Sequence, residues 1–218
     1  MSSTDHGPAQ THDEPDTGPV GPFPPAAPAG GPPPALGGAS TGPAVGRALA
    51  VPVLAGVAAV VVLGVYGRLH EPGTIAVNIA GFSGPGYVKA WLTTLAALLA
   101  VVQLVSALNM YGRLGSASPP WVSVVHRWSG RVAVLATVPV VVHCLYVFGF
   151  EYSNTRVLVH SVAGCLFYGA FVTKMLGLTR RGLPGWTLPV VGGIVFSALV
   201  VLWLTAALWL FQTKGFHL

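Results

Sequence analysis

The chain has 218 residues, of which 53% are hydrophobic and only 8% are charged. Soluble globular domains usually carry about 25% charged residues. The composition therefore excludes an ordinary soluble domain and predicts a multi-pass membrane protein with the lipid bilayer as its surroundings. The net charge of +5 does not indicate a nucleic-acid partner, because the basic residues begin only at Arg47 and flank apolar runs.

Residues 1–43 form a separate block that contains eleven of the 19 prolines. A segment rich in proline, glycine and small residues cannot bury enough apolar surface to offset the entropy lost on ordering. We predict a disordered tail over 1–43 and a transmembrane domain over 44–218. The opening MSSTDHG has neither the basic start nor the apolar segment of a signal peptide.

Five apolar runs follow the tail, and each is close to the roughly 20 residues that a membrane span requires. Backbone polar groups in lipid must be satisfied within their own segment, so each run is predicted to be helical. The predicted fold class is all-α, a bundle of five transmembrane helices whose runs B to E form a four-helix cofactor-binding core. The runs are A, Ala48 to Tyr66; B, Val88 to Met110; C, Val122 to Phe150; D, Val157 to Leu178; and E, Thr187 to Phe211.

Basic residues near the ends of the runs predict the orientation. Seven lie on the same side as the tail and four on the other, which favours a cell-membrane protein with a cytoplasmic N-terminus and an outer C-terminus. The connection between runs A and B contains TIAVNIAGF, which is too short to span and is predicted either to lie at the outer interface or to cap a site there. The seven are Arg47, Arg113, Arg127, Arg131, Lys174, Arg180 and Arg181, and the four are Arg68, Lys89, Arg156 and Lys214.

Two histidines lie inside apolar runs, where an ionisable side chain indicates function. His143 lies ten residues before Ser153, the centre of the C–D turn, and His160 lies seven residues after it. Antiparallel helices would place the two imidazoles within ~4.5 Å of the same depth. Imidazoles at one level on facing helices suit a low-spin haem iron, which takes axial nitrogen ligands from opposite sides within an apolar slot.

Two glycines follow histidines at a spacing of four residues. Gly130 follows His126 and Gly164 follows His160, and positions i and i+4 share one helix face. A missing side chain there leaves room for a flat macrocycle. The alternative is that glycine and other small residues simply let membrane helices approach each other.

The segment HRWSGRVAVLATVPVVVHCLY resembles the histidine-bearing third helix of the ferric-reductase-like transmembrane and cytochrome b561 families. The similar residues are the His-Arg-Trp that begins at His126, the pair Gly130-Arg131, and a later histidine followed by Tyr146. The resemblance covers residues 88–211 and implies a helical bundle that carries b-type haem on histidine pairs. The chain is also similar to an uncharacterised group of bacterial multi-pass proteins, which implies no known activity.

The sequence departs from the family pattern at His126. This histidine lies 17 residues before His143, which is ~100° out of line on an ideal helix unless Pro139 changes the phase. No histidine lies at its depth, where run B offers Gln103 and Leu104. Run D offers Met175 or Lys174, and methionine can ligate haem iron, but the depth differs by ~7 Å. We therefore predict one haem b, held by His143 and His160, and disfavour a second haem at His126.

The residues around His126 leave several roles open. Arg127 and Arg131 are predicted either to reach the inner headgroups or to bind haem propionates. His126 itself has either a structural role at the interface or a part in ligation or in proton delivery to a quinone.

The sequence predicts an integral membrane b-type cytochrome that transfers electrons near the outer face, with a quinone or a membrane dehydrogenase as its redox partner. No G-x-G-x-x-G follows a predicted strand, so it would be at most an oxidoreductase subunit without its own flavin or nicotinamide site. The alternative is a non-redox accessory or transporter-like subunit that handles protons or a metal, since Cys144 adjoins His143. A purely structural membrane anchor is the third interpretation.

Overall fold

The computed structural model describes residues 43–73, 82–115 and 118–217. Regular structure within these ranges is helical throughout, and two helices continue through segments with π-helical hydrogen bonding. The α-helices are α1 (Pro43–Leu69), α2 (Pro85–Met110), α3 (Pro120–His143), α4 (Thr155–Leu178), α5 (Thr187–Leu202) and α6 (Trp209–Lys214), and the π-helical segments are π1 (Cys144–Phe148) after α3 and π2 (Trp203–Leu208) after α5.

Five helices among the described residues are long and apolar enough to cross a membrane, the third including π1 and the fifth including π2 and α6. This confirms the all-α class and the five predicted spans. Asn154 caps α4 by accepting a hydrogen bond from the Val157 N–H at 3.1 Å. Leu54, Leu98 and Leu135 are 66, 62 and 67% exposed. Side chains this apolar and this exposed fit contact with lipid rather than with water.

Helix α4 holds the bundle together by packing against α1 on one side and α5 on the other, while α2 packs against α3 and π2. Gly56 of α1 and Gly169 of α4 meet so closely that a Cβ on either would lie 2.6 or 2.7 Å from the other's carbonyl oxygen. Gly169 therefore serves close helix packing, as small residues commonly do in membranes. Within the described ranges, α3 and α4 are not among the closely packed pairs.

The middle of the bundle is an apolar layer. Phe167 of α4 and Leu199 of α5 are only 2 and 3% exposed. The Tyr168 hydroxyl lies 3.1 Å from the carbonyl oxygen and 3.0 Å from the hydroxyl of Thr137, and so bonds α4 to α3 beside this layer. Polar groups nearer the two ends of the bundle are thus separated by packed apolar side chains. The alanines that pack with Phe167 and Leu199 are Ala96, Ala100, Ala136 and Ala198.

The two ends of the bundle differ. We call one the C-terminal end, where the Phe150 N–H donates to the Gly67 carbonyl at 2.6 Å and the Tyr87 hydroxyl donates to the Lys214 carbonyl at 3.1 Å. The opposite Arg180 end holds the last turns of α2 and α4 and the first turn of α5. The predicted disordered tail, apart from its last residue, and TIAVNIAGF, apart from its final phenylalanine, lie outside the described residues.

Candidate cofactor site

His160 lies in the half of the bundle nearer the C-terminal end, and its ring orientation is fixed. Its Nδ1 lies 3.0 Å from the Thr205 hydroxyl of π2. That hydroxyl also lies 2.7 Å from the Val201 carbonyl, to which it can donate. In the arrangement where it does so, it accepts the proton of His160 Nδ1, and a lone pair is left on Nε2. A hydrogen bond from the distal ring nitrogen is the usual way in which a protein orients a ligating histidine.

The π2 segment also anchors Arg156, one turn before His160 on α4. The Arg156 Nη1 donates to the Thr205 carbonyl at 2.6 Å, and its guanidinium lies 3.9 Å from the centre of the Trp209 ring. Thr205 thus contacts the histidine through its side chain and the arginine through its main chain. π-helical turns are rare and often occur at functional sites.

His143 is the last residue of α3, directly before π1. It is half-buried, and its ring lies 5.8 Å from the Phe148 ring. The Lys89 ammonium of α2 lies 4.5 Å over that same Phe148 ring. Lys89 and His143 thus share Phe148 as a neighbour. A π-helical segment accompanies each predicted ligand, π1 directly after His143 and π2 in contact with His160 through Thr205.

A small cavity of about 70 Å³ lies beside His160, between α1, α4 and the end of α3. Gly164 lines it, and a Cβ on Gly164 would meet only Leu202 at an ordinary 3.8 Å. Packing alone therefore does not require this glycine. His143 is not among the lining residues, which are Leu63, Val141, Cys144, Leu145, Gly149, Phe150, His160, Ser161, Gly164 and Cys165.

His126 lies nearer the Arg180 end and is held in the same manner as His160. Its Nδ1 lies 2.8 Å from the Ser106 hydroxyl of α2, which donates to the Val102 carbonyl at 2.7 Å. When this hydroxyl donates to Val102, it accepts from a proton on His126 Nδ1, and a lone pair is left on Nε2. Lys174 of α4 is within electrostatic range of it. Counting residues along runs B and C predicts that Gln103 lies at the same depth as His126. The Gln103 amide does donate to the His126 carbonyl oxygen.

The other predicted residues near His126 lie apart from its imidazole. Gly130 makes room for Gln103, because a Cβ there would lie 3.0 Å from the Gln103 Oε1. Arg127 and Arg131 are exposed, and the Arg131 guanidinium lies 5.1 Å from the centre of the Trp128 ring. The two arginines thus lie on the outer surface of the bundle, where they can reach headgroups.

The described helices contain cations in their interior and no carboxylate. Lys89, Arg156 and Lys174 are all partly buried, whereas the only acidic side chains among the described residues, Glu71 and Glu151, lie in connections. Also within these ranges, no three histidine, cysteine or acidic residues converge as a metal site. The interior is therefore suited to a negatively charged ligand.

Sequence reasoning missed Thr205 and Ser106, the two hydroxyls that orient histidines, and treated Lys89 only as a flanking charge. Depth could have suggested Thr205, since it lies six residues before Phe211, the predicted end of run E. The rotation of each helix about its axis could not be read from the apolar runs, because those runs have apolar residues on every side.

Long apolar helices with lipid-facing leucines and an interior lined with histidines define a multi-pass helical membrane protein. Residues 49–218 match the model of DUF6529, a family of unknown function. This match covers more than half of the chain, so the protein belongs to that family. Comparisons with curated proteins and with solved structures gave no match. The resemblance to ferric-reductase-like and cytochrome b561 proteins stays a prediction.

Proposed function

We propose that this protein is a membrane b-type cytochrome that carries electrons through one haem held by His143 and His160. The observation that carries the proposal is the 3.0 Å contact between His160 Nδ1 and the Thr205 hydroxyl, which engages Nδ1 and leaves Nε2 for a ligand. An ionisable side chain within a membrane span is a candidate functional residue. Bound haem would supply a one-electron iron couple.

The donor set fits haem. His143 and His160 would hold the iron, and Gly164, which has no Cβ, lines the cavity beside His160. Haem carries two propionates, and Lys89 and Arg156 are cations in the same half of the bundle with no helical carboxylate to pair with them. Arginine and lysine beside an anionic group form charge-assisted hydrogen bonds of the stronger kind.

The cavity volume fits haem less well than the ligating residues do. The cavity beside His160 is about 70 Å³, whereas pockets for small molecules are typically about 300–1,000 Å³. A porphyrin would therefore displace side chains that line the cavity.

The chain itself supplies no electron donor site with a flavin or nicotinamide motif, so the proposal includes a membrane partner. A quinol or a membrane dehydrogenase would deliver electrons, and an acceptor would meet the C-terminal end, which is predicted to face outward. The role of the protein's own residues is then to bind the cofactor, exclude water with the apolar layer around Phe167, and fix the histidine orientation.

Optical spectroscopy of the full-length chain tests the proposal. The protein purified in mild detergent from haem-replete cells should show the Soret and reduced-minus-oxidised bands of a six-coordinate b haem. His143→Ala and His160→Ala should each abolish the six-coordinate spectrum. His217→Ala is the matched control, since His217 lies at the C-terminal end and packs edge-on against Tyr87.

Two results would overturn the proposal. Haem-free wild-type protein from haem-replete cells would exclude a b-type cytochrome. Haem spectra unchanged in both His143→Ala and His160→Ala would exclude these ligands. A spectrum that loses half its intensity in His126→Ala would instead indicate two haems.

A second candidate function is proton handling without haem. It is favoured by the matched arrangement of His126 and His160, each with Nδ1 at a hydroxyl and Nε2 left for a proton, on opposite sides of the Tyr168–Thr137 bond. Vesicles that contain the protein and a pH-sensitive dye would then show proton flux that both His126→Ala and His160→Ala reduce. Flux equal to that of protein-free vesicles would rule this function out.

A further inference from the structure

A second cavity, of about 290 Å³, lies at the Arg180 end, opposite the end near which His143 and His160 lie. It is open to the outside and is bounded by the end of α2, the last turn of α4, the α4–α5 connection and the first turn of α5. Its volume is at the lower end of the range for small-molecule pockets. The lining residues are Tyr111, Gly177, Leu178, Arg180, Gly182, Leu183, Pro184, Gly185 and Leu188.

The lining has the chemistry of an amphiphile site. Leu178, Leu183 and Leu188 give it an apolar wall, and Arg180 supplies a cation at the level where the membrane-spanning helices end. Tyr111 is 54% exposed and contributes a hydroxyl at the same level. Aromatic rings with a polar tip characteristically lie at the headgroup boundary.

The charge around this cavity has one sign. Arg113 and Arg181 lie near Arg180 in the connections at this end, while the two acidic side chains of the described residues, Glu71 and Glu151, lie at the C-terminal end. An anion at the Arg180 end would therefore meet no repulsion from a described carboxylate. The same end is predicted to face the cytoplasm, where the leaflet is rich in anionic lipid.

We propose that this cavity binds one anionic lipid, with the headgroup phosphate on Arg180 and the upper part of an acyl chain against the three leucines. A soluble anion would use the arginine but would gain nothing from the leucine wall. A zwitterionic lipid would use the wall but would bring no net charge. The proposal is independent of haem.

The test is native mass spectrometry of the full-length protein in neutral detergent, with dioleoyl phosphatidylglycerol or dioleoyl phosphatidylcholine added. The wild-type protein should retain phosphatidylglycerol in preference to phosphatidylcholine. Arg180→Gln should lower that retention about five-fold, since a basic residue near anionic headgroups contributes about 1 kcal/mol. Arg181→Gln is the matched control because the neighbouring arginine does not line the cavity, and it should change retention less than about two-fold.

Three outcomes would overturn the proposal. Equal retention of the two lipids would show that charge is not recognised. Equal losses in Arg180→Gln and Arg181→Gln would show a diffuse basic surface instead of a site. Displacement of phosphatidylglycerol by millimolar glycerol phosphate would show a soluble-anion site. Both arginines are exposed, so unaltered elution of each variant on size exclusion should confirm that the fold is retained.

Discussion

Thr205→Val isolates the hydrogen bond on which the proposed haem site depends. Valine keeps the shape of threonine but removes the hydroxyl that accepts from His160 Nδ1 at 3.0 Å. The imidazole then has no partner to hold its proton on Nδ1, and the tautomer with the proton on Nε2 becomes accessible. That tautomer cannot ligate iron, because its Nε2 lone pair is replaced by a proton.

The expected loss of haem affinity follows from the role of hydrogen-bond partners that orient metal ligands. Loss of a hydrogen bond that orients a metal ligand typically weakens metal binding about 10–100-fold, equivalent to about 1.4–2.7 kcal/mol. Without haem the effect should be smaller, because side-chain hydrogen bonds between membrane helices contribute about 0.6 kcal/mol on average and at most about 1.7. Thr205→Val should thus affect haem affinity more than stability.

Haemin titration of protein from haem-depleted cells, followed at the Soret band, measures this affinity. Thr205→Ser should restore it, because serine keeps the hydroxyl. Thr213→Val is the matched control, since Thr213 makes the same intrahelical bond, to the Trp209 carbonyl at 2.8 Å, without a histidine partner. Nitrogen-15 NMR of the histidines reports the tautomer without haem.

Two results would refute the reasoning about Thr205. One is a wild-type His160 that carries its proton on Nε2 in the haem-free protein. The other is Thr205→Val with the same haem affinity as Thr213→Val. Either would mean that the hydroxyl contact does not prepare Nε2 for a ligand.

Three further substitutions test the packing. Phe167→Ala should lower the free energy of unfolding by about 3–5 kcal/mol, because Phe167 is only 2% exposed. Phe216→Ala, at a site 73% exposed, should leave it unchanged. Denaturant titration of tryptophan fluorescence measures both variants, and equal losses would contradict the assigned core. Gly169→Leu should separate α1 from α4 and lower the melting temperature, while Gly64→Leu, with nothing within 4 Å of its Cβ, should leave it unchanged. Gly164→Ala should leave the melting temperature of the haem-free protein near that of the wild type, because its Cβ would meet only Leu202 at 3.8 Å, but it should reduce haem uptake, and full uptake would argue against a ring beside His160.

The membrane-spanning helices were predictable because a bilayer allows few backbone conformations. Each apolar run had to be long enough to cross and had to satisfy its own hydrogen bonds, and helices do both. Depth was also predictable, because the rise per residue is fixed. Counting along runs B and C placed Gln103 level with His126, and these residues are in contact.

Rotation and irregular turns were not predictable. Ser106 and Thr205 face histidines only because α2 and the fifth membrane-spanning helix are turned in one particular way, and an all-round apolar surface gives no signal for that choice. The π-helical segments have no signature in composition. From their sequence positions, Lys89 and Lys174 were predicted to flank the membrane spans, whereas both side chains reach toward the bundle interior.

The π2 segment has a consequence for how this sequence can change in length. Hydrogen bonds in a π-helix skip one residue more than those in an α-helix, so π2 takes up a residue that a regular helix would not accommodate. Deleting one residue between Trp203 and Leu208 would let an α-helical turn replace the wider π-helical turn, and the residues after it would keep nearly the same rotation about the helix axis. Trp209 would stay beside Arg156 and Lys214 beside Tyr87, whereas the same deletion in the regular part of α5 would rotate them by about 100°. A single-residue deletion in π2 should therefore keep these contacts and disturb mainly the turn that presents Thr205 to His160.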